Sequence, residues 1–260
     1  MTEHDRIDLQ AAASKLGVHY QTAYRWVRGG RLAAELVDGR YLVRLADVER
    51  FDRERSTPAR PTPPSDARVG RQSAALHEAL TEGDEARARA IVTRLVADGL
   101  DPIALITDVL SPSLREIGRA WHEGEVDIWV EHRASAIVER ALGDITPNPR
   151  GRRRGTAVVA AVSGDRHGLP TSMATVALRS SNWNVHHLGA DTPPSTLAAF
   201  VDEHEIDLVV LSNTSPEVAG LTEETAESLR EAGYRVLVGR PGATLRDLVD
   251  QAAQLRRRAA

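Results

Sequence analysis

Residues 156–170 read TAVVAAVSGDRHGLP, an apolar run from Thr156 to Val162 that opens into the polar loop Ser163-Gly164-Asp165-Arg166-His167-Gly168. The run has strand length. Three later runs repeat it: Asn184-Val185-His186-His187-Leu188, Asp207-Leu208-Val209-Val210-Leu211 and Arg235-Val236-Leu237-Val238. Helical stretches at 171–181, 194–204 and 220–232 lie between them. Strand and helix in alternation predict a doubly wound parallel sheet over 155–260, whose ligands sit beyond the carboxyl ends of the strands.

The loop after the first run carries chemistry. A histidine with an aspartate two residues before it can present Nε2 to a metal while its other ring nitrogen donates to the carboxylate. That bond fixes the tautomer and raises ligand basicity. Asp-x-His alone also describes many ordinary surface loops. His186-His187 is a second pair with metal or haem potential, and equally reads as an exposed strand end.

Residues 70–145 are helical by pattern. Leu76, Leu80, Ala86, Ala90, Ile91 and Leu95 lead to a stop at Gly99. Pro102 to Trp121 and Val126 to Leu142 follow, so four helices with short loops predict a four-helix bundle. Within it Trp121 precedes Glu131-His132 by nine intervening residues. The stretch from Ser56 to Arg68 (STPARPTPPSDAR) is rich in Pro, Ser and Thr, and predicts a linker over 56–69. A second break runs from Thr146 to Gly151. The arginines after it, Arg152 to Arg154, read as a solvated linker that could also touch phosphate.

Residues 1–55 form a small unit of their own. Leu9, Ala12, Ala13 and Leu16 have helical spacing, and a second helix with Thr22, Ala23, Trp26 and Val27 stops at Gly29-Gly30. Leu36-Val37 and Tyr41-Leu42-Val43 flank Asp38-Gly39, a hairpin signal. A helix from Leu45 to Phe51 closes the unit. Helix, turn, helix and hairpin in that order predict a winged helix-turn-helix. Its second helix would enter the major groove with His19, Tyr20, Gln21 and Arg25 facing bases or phosphates. Arg28, Arg31 and Arg40 would contact the backbone, and Trp26 is expected in the core. A helical protein-interaction head is the other reading.

Composition bounds the rest. The 260 residues imply two or three domains. Net charge is −4, so any DNA contact is local. The absence of cysteine excludes disulfides, zinc fingers, iron–sulfur clusters and thiol catalysis, and fits a reducing cytoplasm. The N-terminus has no secretory pattern, and no stretch approaches the ~18 apolar residues of a membrane span, so a cytoplasmic protein is expected. Phosphate loops and dinucleotide glycine fingerprints are missing, which argues against an enzyme.

Residues 10–51 resemble the excisionase and MerR-like DNA-binding heads, which bind a double-stranded DNA operator as dimers or tetramers. Residues 155–260 resemble the flavodoxin-like, Rossmann-like cobalamin-binding domain, on the strength of Asp165-Arg166-His167, LGADTPPSTLAAFV at 188–201 and Leu211-Ser212-Asn213-Thr214. That resemblance implies a cobalt corrinoid with His167 as lower axial ligand, Asp165 behind it, and Ser212 and Gly239 near the nucleotide tail. Residues 70–145 would then be the cap. Trp121, Glu131 and His132 are similar to the Trp-x9-Glu-His signature of adenosylcobalamin photoreceptor regulators. The resemblance implies that Trp121 covers the upper face, Glu131 accepts from the adenosyl group, and His132 becomes an upper cobalt ligand after photolysis.

Four features depart from the family pattern: Pro170 where a glycine is usual, Thr214 for Leu, Gly239-Arg240-Pro241-Gly242 for Gly-Gly, and a fifth strand missing or reduced. They predict a weakened tail pocket, with Arg240 projecting into it. The leading expectation is a homo-oligomeric transcription regulator that senses adenosylcobalamin, with light as a candidate second input. The alternatives are a DNA-binding regulator whose domain binds no corrinoid and serves as a dimerisation, partner or other-chromophore platform, and a corrinoid carrier for methyl transfer.

Overall fold

The computed structural model describes residues 6–56, 63–145, 153–240 and 242–257. Two compact units result, Met1–Pro61 and Thr62–Ala260. In the first, β1 (Arg6–Asp8) and α1 (Leu9–Lys15) precede α2 (Tyr20–Arg28), β2 (Glu35–Val37), β3 (Arg40–Arg44) and α3 (Leu45–Ser56). Asp8 begins α1 by accepting the Ala11 amide on Oδ1 at 2.7 Å, which satisfies a donor that the first helical turn leaves open. Val37 faces Arg40 across a two-residue turn in which Asp38 and Gly39 have φ of 47° and 79°. Positive φ at both is what a tight hairpin turn needs, and Asp-Gly tolerates it. The core gathers Leu9, Ala12, Leu16, Ala23, Val43 and Phe51. Trp26 packs as expected, its ring 5.0 Å from Phe51.

One strand of this unit was not expected. Residues 6–8 pair antiparallel with β3, Ile7 opposite Val43, giving the order β1-β3-β2. Three residues are too few to display a period of two, so only the partner strand defines them.

The second unit begins with α4 (Asp66–Glu82), α5 (Glu85–Ala97), α6 (Pro102–Leu105), α7 (Ser111–His122) and α8 (Ile128–Ile145), with a π-helical turn at Ile106–Leu110 joining α6 to α7. Helix α4 starts inside the expected linker, before residue 70, because Ser65 is extended and Asp66 puts a carboxylate in the first turn. The rest of that linker at 57–62, the second break at 146–152 with Arg152, and Pro241 lie outside the described residues. Leu80, Leu95, Ile106, Leu110, Ile137 and Leu142 fill the helical core, and Val176 of the following layer joins the same cluster.

That layer contains β4 (Thr156–Val162), α9 (Gly168–Ser180), β5 (Asn184–Thr192), α10 (Pro194–Glu203), β6 (Leu208–Ser212), α11 (Ala219–Glu231), β7 (Val236–Val238) and α12 (Leu245–Arg257). The strands are parallel in the order β5-β4-β6-β7. Ala157 to Val162 of β4 are all buried, as a central strand covered on both faces requires. Ala174 and Leu178 of α9, with Ala252 of α12, pack on one face with Trp183. Leu197 and Val201 of α10 and Ala226 and Leu229 of α11 pack on the other. Among the described residues there is no fifth strand, and after Gly242 the chain enters α12. Strand order reverses between β4 and β6, so a crevice opens where the loops after these two strands diverge.

Candidate cofactor site

The loop after β4 is pinned on both sides of that crevice. Gly164 has φ of 91°, and a Cβ there would come within 2.8 Å of Val218, so the loop's tight exit from the strand depends on glycine. Its amide donates to Asp191 Oδ1 at 2.7 Å, while the Asp191 amide donates to the Asp165 carbonyl at 2.9 Å. From the loop after β6, Thr214 donates its amide to Asp165 Oδ2 at 2.9 Å, and its hydroxyl lies 3.0 Å from both carboxylate oxygens.

Asp165 is fully buried. Its Oδ1 accepts from the His167 amide at 3.1 Å and from His167 Nδ1 at 2.8 Å. Burial by itself would raise its pKa. The bonds from the Thr214 amide, the His167 ring and amide, and the Thr214 hydroxyl outweigh that and hold the carboxyl below its ordinary range. An ionised carboxylate only accepts, so His167 Nδ1 carries a proton, and in the neutral imidazole the lone pair lies on Nε2. The His167 side chain is 64% exposed, so this nitrogen is open to a ligand.

Beside the loop lies a cavity of about 310 Å³ between the sheet and helices α9 and α12, lined by Pro170, Ala174, Ser212, Asn213, Gly239 and Leu248 among others. Its character is largely apolar, yet Asn213 Oδ1 is buried without a hydrogen-bond partner. Pro170, Thr214 and Arg240 all line this cavity. The Arg240 guanidinium pairs with Glu223 of α11 at 2.7 Å, on the opposite face of the sheet from α12. Pro170 lines the cavity within the first turn of α9, where a missing amide proton costs no intrahelical bond. Thr214 also supports the Asp165–His167 pair, because its hydroxyl supplies a bond that leucine could not.

In the cap, Trp121 ends α7 and is 41% exposed. Glu131 and His132 sit in the first turn of α8, which a short turn containing Gly124 joins to α7. Ser135 donates to Glu131 Oε1 at 2.8 Å and so sets the carboxylate. The His132 side chain is 69% exposed, with Nε2 3.8 Å from Glu131 Oε2. Further along α8, Glu139 accepts from Ser172 Oγ of α9 at 3.1 Å. His132 precedes Glu139 by two helical turns, so it lies on the same stripe about 10 Å along the axis. Cap and sheet thus meet beside the His167 loop. Among the described residues no hydrogen bond or ion pair joins Trp121, Glu131 or His132 to residues 163–170. Sequence reasoning missed Asp191, Ser135 and the role of Thr214, since each acts through geometry that spacing does not carry.

In the first unit, Gln21, Arg25 and Arg28 are exposed along one face of α2, and Arg40 is exposed just after the hairpin turn. His19 caps α2, its Nδ1 3.4 Å from the Gln21 amide. Tyr20 stacks on Tyr24 with ring centroids 6.3 Å apart, and Arg31 lies over Trp26 and Phe51.

Residues 155–255 match the B12 binding domain, and residues 72–145 match a second family of the same description. This chain thus carries B12 binding domains over residues 72–145 and 155–255. In front of its B12-binding region, residues 7–56 match a helix-turn-helix domain. The chain is 32% identical over 173 residues to the HTH-type transcriptional repressor CarA of Myxococcus xanthus, covering 62% of this chain and 54% of that one. It therefore spans about half the length of that relative. It is 26% identical over 163 residues to the Trimethylamine corrinoid protein of Methanosarcina barkeri, covering 61% of this chain and 75% of that one. The solved monomethylamine corrinoid protein of Methanosarcina barkeri shares the fold, with a TM-score of 0.55 at 18% identity over 71% of this chain and 94% of that one. Cobalamin is the cofactor of such B12-binding domains, and the residues present fit it: an imidazole with a free Nε2 held by a buried carboxylate, beside an apolar cavity with an unpaired acceptor. No helix among the described residues is long and apolar enough to cross a membrane.

Proposed function

We propose that this protein is a DNA-binding transcription regulator, not an enzyme, which senses adenosylcobalamin through its cap and sheet domain. The observation that carries the reading is the buried Asp165 fixing an exposed His167, in a chain that also presents a helix-turn-helix unit. His167 Nε2 would ligate cobalt, with Asp165 and Thr214 holding the ring. Ser212, Asn213 and Gly239 would line the seat of the nucleotide tail. Trp121 would shelter the opposite side, Glu131 would accept from the adenosyl group, and His132 is the imidazole available there as an upper ligand. When bound, adenosylcobalamin supplies a light-sensitive cobalt–carbon bond.

The head reads as a winged helix-turn-helix and the cap as a four-helix bundle. Gln21, Arg25 and Arg28 would face the major groove, with His19 and Tyr20 at the entry of the same helix and Arg40 on the wing. Repression follows by likeness to the repressor CarA, and a homodimer or homotetramer on a double-stranded operator by the resemblance of the head to MerR-like heads. A change in cap position would alter how many heads engage at once.

Dark incubation with adenosylcobalamin, followed by gel filtration and a visible spectrum, tests this. Wild type retains a corrinoid spectrum and His167→Ala loses the His-ligated form. A wild-type protein that elutes colourless overturns the cobalamin part. The likeness to methylamine corrinoid proteins favours a second reading as a methyl carrier, and specific retention of a promoter fragment in a gel shift decides against it.

A further inference from the structure

A second cavity, about 210 Å³, lies between the cap and the edge of the sheet, its polar walls formed by Glu139 of α8, by Ser172, Thr175 and Arg179 of α9, and by His187 of β5. It shares no lining residue with the larger cavity behind His167. Its volume is several times the share of one water, about 30 Å³.

Two of its walls hold unmet polar atoms. Thr175 is 4% exposed and its Oγ1 has no partner. Helical hydroxyls elsewhere return to the carbonyl four residues back, as Thr81, Ser113, Ser180 and Thr225 do at 2.7–3.0 Å. Thr175 makes no such bond. One turn later Arg179 donates Nη2 to the Val185 carbonyl at 3.1 Å, while its buried Nε–H has no acceptor. Buried polar atoms left open in this way call for an explanation.

The facing side offers acceptors. Glu139 takes one bond, on Oε1, from Ser172 Oγ at 3.1 Å, which leaves Oε2 open. Thr171 spends its hydroxyl proton on the Gly168 carbonyl at 2.6 Å, so at 2.8 Å it accepts from His187 Nε2–H. In the neutral imidazole the lone pair then lies on Nδ1. Burial also holds its pKa below the ordinary value, while Glu139 and Arg179 pull it in opposite directions.

We propose that this cavity binds a small zwitterion, an α-amino acid of glycine or alanine size, with its carboxylate on Arg179 Nε–H and the Thr175 hydroxyl and its ammonium on Glu139. Such a ligand ties α8 of the cap to α9 and β5, so it strengthens the seating of cap on sheet.

Calorimetric titration of the full chain without cobalamin, using glycine, acetate and methylamine as probes, tests the site independently of the corrinoid reading. Glycine binds at least ~10-fold more tightly than either half-ligand. Thr175→Val weakens glycine ~10-fold without lowering the melting temperature, since the hydroxyl it removes is unpaired. Glu139→Gln, which can still accept from Ser172, brings glycine down to the level of acetate. Failure of glycine to saturate the protein, affinity no better than acetate, or unchanged affinity in Thr175→Val overturns the proposal and leaves the cavity to ordered water.

Discussion

Asp165→Asn tests the core of the cofactor site because it changes charge and proton count while keeping shape. The carboxylate oxygens of Asp165 face donors only: the amide and ring Nδ1 of His167, and the amide and hydroxyl of Thr214. An asparagine has one acceptor oxygen, so its NH2 must confront either the His167 pair or the Thr214 amide. The hydroxyl can rotate to accommodate it, but the amides cannot. Losing charge-assisted bonds and leaving a buried donor unpaired costs about 1.5–3 kcal/mol. For a unit of this size that is roughly 4–10 °C in Tm. The ring is also released from one tautomer, and the loss of such an orienting partner typically weakens metal ligation by ~10–100-fold. Thermal melts by circular dichroism and a dark absorbance titration with adenosylcobalamin measure both effects. His167→Ala separates them in part: it removes ligation together with the single ring bond to Asp165, so it lowers Tm less than Asp165→Asn, which disturbs the Thr214 bonds as well. If Asp165→Asn binds cobalamin within twofold of wild type and melts with it, the reasoning that Asp165 acts through His167 is wrong.

Other expectations follow from the same geometry. Asp165 has a folded-state pKa below its ordinary value near 3.8, so its contribution is complete above that value and is lost as pH falls through the folded pKa. Acid melts of wild type and Asp165→Asn should therefore converge below about pH 4, and parallel curves throughout would contradict this. Thr214→Val keeps the amide bond and loses the hydroxyl, for about 1 kcal/mol in urea unfolding, with cobalamin affinity falling less than in Asp165→Asn. Arg240→Ala leaves corrinoid retention unchanged, since its guanidinium pairs with Glu223; a gain in retention would show that the side chain does obstruct the cavity. Arg28→Ala lowers the slope of log affinity for operator DNA against log salt by about 0.9 if it meets a phosphate, and an unaltered slope removes it from the interface.

Much of the architecture was legible in one dimension because its causes are local. The apolar run 156–162 has the length of a buried strand and ends at a glycine turn, Asp38-Gly39 supplies the positive φ of a tight turn, and the helical spacing of Leu76, Leu80, Ile91 and Leu95 defines a face. Asp165 and His167 stand two residues apart, so their pairing needed no tertiary information. The limits appear where a partner is distant. Strand β1 exists only because β3 offers it a ladder, and α4 begins early, with Ser65 extended before it and the Asp66 carboxylate in its first turn.

What the tertiary structure alone decided is which way side chains turn and what meets them. Thr214 reaches Asp165 across 49 residues because β4 and β6 are neighbours at the reversal of strand order, and Asp191 clasps the same loop from β5. Arg240, read along the chain, pointed into the tail cavity; in space it lines that cavity while its guanidinium pairs with the Glu223 carboxylate. Sequence periodicity sets each element's type and buried face, because backbone geometry repeats with fixed period. Contacts between elements depend on strand order and register, which no repeat along the chain encodes.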